Sequence, residues 1–202
     1  LIREFGYEIL EKGIRELSRW RQNVALAHLR LAVNVNVQSF AADDFVSNLA
    51  SLLATNYLAP QNLTLELTEH VVTRDRDLIA QRMGELKRLG VRLSLDDFGS
   101  GYSSIAHLKR LPLDELKIDG CFVADIEKSE SDPALIKSIL GTARTLKLTA
   151  VAEHVENVPQ EAFLRAFGCD FFQGHLYSPA MPADEFTAFV ERRRMGDALL
   201  DI

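Results

Sequence analysis

Apolar and polar residues alternate along this chain with two periods, and the switch between them is regular. In residues 31–37, Leu-Ala-Val-Asn-Val-Asn-Val, one face carries Val33, Val35 and Val37 and the other Asn34 and Asn36, which is the period of a strand. Residues 63–69 alternate in the same way, with Thr64, Glu66 and Thr68 on the polar face. Val91, Leu93 and Leu95 oppose Arg92, Ser94 and Asp96, so Asp96 and Asp97 fall at the end of a third strand. Shorter strands are expected at 115–119, with Lys117 and Asp119 on one face, at 148–153, ending in Glu153, and at 169–173. Between them the spacing becomes helical, predicting helices over about 1–21, 41–56, 75–89, 103–110, 132–146, 158–167 and 182–194. The first carries Ile2, Phe5, Ile9, Ile14 and Leu17 at roughly helical spacing. Gly90 and Gly168 read as helix stops, and Asp132-Pro133 as a cap followed by a first-turn proline.

About six strand–helix units after one lone helix imply a parallel sheet with right-handed crossovers. A doubly wound sheet buries both strand faces, and its strands are then continuously apolar. These strands keep a polar face, which fits a barrel with a partly polar interior. The polar signals collect at the strands' C-terminal ends, where a (βα)8 TIM barrel builds its active site. Eight units less six leaves about two N-terminal strands expected outside this sequence. The chain starts with Leu rather than Met, which reads as a start inside a longer protein. No second domain, repeat or low-complexity segment is evident, so residues 1–202 read as one barrel domain lacking its first strands.

Composition narrows the classes. With 202 residues, 47% of them hydrophobic, the chain can bury a sizeable core. A net charge of −6 with no basic run argues against DNA binding. No apolar run approaches the roughly 20 residues that span a bilayer, and no secretory signal is visible. Two cysteines, Cys121 and Cys169, are too few and too distant for a disulfide framework or a zinc motif and read as reduced thiols of a cytoplasmic protein, or of the cytoplasmic part of a larger, membrane-attached one.

Each polar residue has a plain structural reading. An Asp-Asp pair can simply face water, Glu66 can pair with Arg92, Lys117 with Asp119, and Asn34 can bond a neighbouring strand. Together, however, they bring five or six carboxylates, an amide and one lysine to one barrel mouth, and such a concentration of like charge calls for cations. Oxygen donors suit Mg²⁺ or Mn²⁺. His154 and His175 neighbour the mouth but read as packing or surface residues. The chain has no HExxH pair, GxSxG elbow, GxxxxGK[ST] loop or GxGxxG fingerprint, and Cys121 has no evident base partner. Metal-assisted phosphodiester or phosphomonoester hydrolysis is the reaction class these residues suit, with an enolase-like proton abstraction as the rival.

The ordered motifs Val33-Asn34, Glu66-Leu67-Thr68-Glu69, Asp96-Asp97-Phe98-Gly99-Ser100-Gly101-Tyr102-Ser103-Ser104, Leu116-Lys117-Ile118-Asp119, Val151-Ala152-Glu153, Val155-Glu156 and Gly168-Cys169-Asp170 through Gln173-Gly174 resemble the EAL-domain family of cyclic di-GMP phosphodiesterases. The resemblance implies a TIM-barrel-like fold that hydrolyses cyclic di-GMP to linear pGpG with two Mg²⁺ or Mn²⁺ ions. It implies Asn34, Glu66, Asp96 and Asp97 as metal ligands, with Asp119 and Glu153 completing the second site or orienting its water. Glu153 would be the general base, with Lys117 the competing candidate, and Gln173 would hold the water or a phosphate oxygen. Glu69 and Glu156 would anchor the loop after Asp97. A homodimer and an upstream sensory or regulatory domain are the family expectation. Against the family pattern, the Glu-Ala-Leu motif is absent, His154 stands in place of glycine, and Gly120-Cys121 replaces a polar pair. Those departures leave a non-catalytic cyclic di-GMP receptor or protein-interaction module as the alternative.

Overall fold

The structure is a computed structural model and describes residues 2–73, 75–99, 105–124, 126 and 131–198. In chain order its elements are α1 (Ile2–Trp20), β1 (Leu31–Asn34), α2 (Val37–Phe40), α3 (Phe45–Thr55), β2 (Leu63–Thr68), α4 (Glu69–Thr73), α5 (Arg76–Leu89), β3 (Arg92–Phe98), α6 (Ile105–Leu108), β4 (Glu115–Ile118), α7 (Gly120–Ala124), α8 (Asp132–Leu146), β5 (Thr149–Ala152), α9 (Val158–Ala166), β6 (Phe171–Phe172) and α10 (Ala183–Ala198). The six strands are all parallel and lie in chain order, β1-β2-β3-β4-β5-β6, in a curled half-barrel. This bears out the mixed α/β, TIM-barrel-like expectation.

Alternation along the strands divides the core into two layers. Leu63, Leu65, Leu67, Leu93 and Leu95 are fully buried. Full burial of such a side chain stabilises by about 1.5–3 kcal/mol. Opposing stripes come from α3 (Phe45, Leu49, Leu53) and α5 (Ile79, Met83, Leu86). The alternate face of the strands carries Thr64, Glu66, Ser94, Asp96 and Lys117, and these are buried as well. The polar face seen in the sequence is therefore the barrel's inside.

Several element ends differ from expectation for identifiable reasons. In α1 the buried stripe is Leu10, Ile14 and Leu17, whereas Phe5 and Ile9 are exposed. At about 100° per residue those two lie across the helix from the stripe. β1 stops at Asn34 because Asn36 caps a separate short helix, accepting a hydrogen bond from the Ser39 N–H. Ser131, not Asp132, holds the cap position of α8, and Pro133 sits in its first turn. Gly90 ends α5 as predicted, at φ 99°, its N–H directed at Leu86 and Lys87 carbonyls. Of the residues expected in the helix near 103–110, α6 covers 105–108, and residues 100–104 lie outside the described residues.

The strands' N-terminal ends are tied by two aspartates. Asp114 accepts from the Leu93 N–H at 2.8 Å and from Lys87 Nζ at 2.6 Å, and Asp170 accepts from the Ala150 N–H at 2.8 Å. Both bond the start of a neighbouring strand, so this end is structural and the opposite end is left for chemistry.

Candidate functional site

The site begins with a fault in the β3–β4 ladder. Leu95 pairs with Leu116 and Phe98 with Ile118, so Asp96 and Asp97 together oppose the single residue Lys117. This is a β-bulge, with Asp97 in the left-handed region at φ 55°. Successive side chains of a regular strand point to opposite faces. The bulge breaks that rule and lets two adjacent carboxylates converge. One oxygen from each of Asp96, Asp97 and Glu153 lies within 4.8 Å of the others.

Lys117 forms the floor of the cluster. It is 3% exposed, and its Nζ lies 2.9 Å from Glu66 Oε1, 3.0 Å from Asp96 Oδ1 and 2.6 Å from Glu153 Oε1. Asn34 Nδ2 donates to Glu66 Oε2 at 3.1 Å. The Asp97 N–H donates to Asp96 Oδ1 at 3.2 Å. The simpler pairings open at the sequence level are thereby replaced: Glu66 takes Lys117 rather than Arg92, and Lys117 takes three carboxylates rather than Asp119. Asp119 spends one oxygen at the start of α7, accepting from the Cys121 N–H at 2.9 Å.

Burial works to depress the Lys117 ammonium's pKa, but hydrogen bonds and charge from Glu153 and Glu66 outweigh it and raise it above its ordinary value. The lysine therefore stays charged near neutral pH. Burial pushes the Glu66 carboxyl above its ordinary range, with Lys117 opposing and Asp96 and Glu153 adding to the rise. Burial, then Asp96 and Asp119, raise the Asp97 carboxyl. Among the described residues one ammonium faces three carboxylates, so Lys117 alone does not balance their charge. That donor set fits a divalent cation with oxygen ligands.

Glu153 is held from both sides. Its N–H donates to the Ile118 carbonyl at 3.3 Å, the Gln173 N–H donates to Ala152 O at 2.8 Å, and the Val155 N–H donates to Gln173 O at 3.0 Å. Gln173 thus clamps the segment 152–155 through its backbone. A Cβ on the next residue, Gly174, would fall 2.2 Å from the Val155 carbonyl oxygen, so the close approach requires glycine. Glu153, His154 and Gln173 line a cavity of about 730 Å³ whose apolar wall includes Trp20, Phe172 and Phe186.

A family model described as EAL domain matches residues 1–180. The chain belongs to the EAL domain family. Among curated relatives, the "Bifunctional diguanylate cyclase/cyclic di-GMP phosphodiesterase MucR" of Pseudomonas aeruginosa is 38% identical over 190 residues, 94% of this chain and 28% of that protein. The chain spans about a quarter of the length of the curated relatives it matches. Among solved structures, PaMucR phosphodiesterase in a c-di-GMP complex aligns with TM-score 0.87 at 37% identity, over 91% of this chain and 74% of that one. BlrP1 of Klebsiella pneumoniae in a manganese/cy-diGMP complex aligns with TM-score 0.80 at 29% identity, over 88% and 44%.

Within this EAL domain, the residues singled out in the sequence separate into three sets. Asn34, Glu66, Asp96, Lys117 and Glu153 form one bonded network, with Asp97 at its edge. Asp119 lies close enough to act electrostatically on Asp97 but falls outside the three converging carboxylates. Glu69 is buried at the start of α4, and Glu156 is exposed on the cavity rim. The loop that both were expected to anchor includes residues 100–104, outside the described residues. The apolar cavity wall had no signal in the sequence, because Trp20 and Phe186 come from opposite ends of the chain and meet ring to ring at 5.0 Å.

Proposed function

We propose that this chain is the catalytic domain of a cyclic di-GMP phosphodiesterase that yields linear pGpG. The observation that carries the reading is the buried Lys117 network, with Asp96, Asp97 and Glu153 converging above it on an EAL scaffold. Asn34, Glu66, Asp96 and Asp97 would hold divalent cations, with Asp119 completing a second site and Glu153 orienting its water, and Mg²⁺ or Mn²⁺ suits these oxygens. Two such ions supply charge neutralisation of the phosphodiester and an acidified water. Glu153 is the general base in this reading. The geometry supports that assignment, because Lys117 is held as an ammonium by three carboxylates and an ammonium that holds its proton cannot accept another. Lys117 fixes the Glu153 carboxylate and offsets negative charge on the phosphate. Gln173 orients water or a phosphate oxygen from across the cleft. The relatives' greater length supports an upstream sensory or regulatory domain in a longer protein. The same proposal includes a homodimer, in the cytoplasm or as the cytoplasmic part of a membrane-attached protein.

The test is hydrolysis of cyclic di-GMP by the complete domain in Mg²⁺ or Mn²⁺, with the product resolved by chromatography. Turnover to pGpG that chelation stops is the expected result. Binding without turnover would replace the enzyme with a receptor, and failure to bind would overturn the ligand itself.

A further inference from the structure

His154 has a backbone that L side chains rarely adopt, at φ 53°. Its ring lies directly on the backbone of Gly120. A Cβ built on Gly120 would fall 2.1 Å from His154 Nδ1, 2.4 Å from its Cγ and 2.7 Å from its Cβ. Gly120 is buried and is not among the positive-φ glycines, so the ring and not the backbone excludes a side chain there. The flanking residues are fixed, since the Glu153 N–H binds β4 and the Val155 N–H binds Gln173. A glycine at 154 would relieve the backbone and free room at 120, and this chain has the opposite arrangement at both positions.

The location of the ring indicates what it meets. Glu153 turns inward to Lys117, whereas His154 is exposed on the rim of the same cavity, outside the three converging carboxylates. A cyclic dinucleotide with its scissile phosphate at those carboxylates has a guanosine on each side of that phosphate, and the rim is an exposed surface beside them for one of the two. Aromatic rings are general platforms for nucleobases.

We propose that His154, pinned on the bare backbone of Gly120, is a specificity-determining residue that contacts the guanosine flanking the scissile phosphate. This rests on the phosphodiesterase reading above. Gly120 is a positioning residue that acts through the ring.

The complete domain and its His154→Gly, Gly120→Ala and double variants are assayed with Mn²⁺ on cyclic di-GMP and on bis(p-nitrophenyl) phosphate, a diester with no nucleoside. In His154→Gly the KM for cyclic di-GMP rises about tenfold, and the kcat/KM preference for the dinucleotide over the minimal diester falls by about the same factor. Gly120→Ala displaces the ring and reproduces the loss, and the double variant loses no more than either single one. Thermal midpoints of the variants separate this from unfolding, and His154→Gly alone keeps the test valid if Gly120→Ala fails to fold. An unchanged preference, or an equal fall in kcat on both substrates, overturns the assignment while leaving the phosphodiesterase reading intact. A wild-type domain that neither cleaves nor binds cyclic di-GMP overturns both.

Discussion

Replacing Lys117 by methionine removes the ammonium from the centre of the carboxylate cluster while keeping an unbranched side chain one atom shorter. Three carboxylates lie within 3.0 Å of Nζ, and the lysine is 3% exposed, so solvent cannot take over its role. Removing one partner of a buried ion pair costs about 3–5 kcal/mol, because the remaining charge is left uncompensated. For a chain of this size that corresponds to a fall in melting temperature of roughly 6–20 °C. The assay is urea unfolding of the complete domain with and without chelator. In chelator the full loss should appear. With Mn²⁺ part of it should return, because a cation bound by Asp96 and Asp97 beside Glu153 would offset the same negative charge. A loss of less than about 1 kcal/mol in chelator would refute the reasoning, since it would put the cluster in the range of surface ion pairs.

Further outcomes test other parts of the account. Glu66 has a folded pKa raised above 4.5 and Asp97 one raised above 3.8, so each favours folding below those values and loses that contribution as pH rises through its folded value. In chelator, the stability advantage of wild type over Glu66→Gln should therefore shrink as pH rises above 4.5. A growing advantage in denaturant titrations would reverse the sign assigned to Glu66. Asp96→Asn should reduce Mn²⁺-dependent turnover by at least about a hundredfold with little change in circular dichroism. Undiminished turnover would remove Asp96 from the metal site. Gly90→Ala forces a side chain into φ 99° and should cost about 1–2 kcal/mol in urea unfolding, and a gain in stability would contradict the left-handed stop of α5.

The amino-acid pattern by itself determined the six strands, the longer helices and their order. Period-two alternation marked the strands at 31–37, 63–69 and 91–97, and Gly90 marked a helix end, because side-chain periodicity and φ preference are local properties. The same alternation gave a polar strand face, and its argument for a barrel holds because that face is interior. Short-range chemistry was less legible. The four- and five-residue helices α2, α4 and α7 have no room for a periodic signal, and of the apolar set expected in α1 Ile14 and Leu17 are buried while Phe5 and Ile9 are exposed.

Partners were decided only by the tertiary structure. Glu66 could have paired with Arg92 and Lys117 with Asp119, and they instead meet across β3 because both side chains are buried on the interior face. Alternation places Asp96 and Asp97 on opposite faces. Their convergence depends on the bulge against Lys117, which exists only once β3 has paired with β4 in register. The ring of His154 on Gly120 likewise joins two motifs that lie apart in the chain. A sequence can specify which residues reach the ends of strands, but which of them share one volume is fixed by strand register and by the penalty for leaving buried charge unpaired.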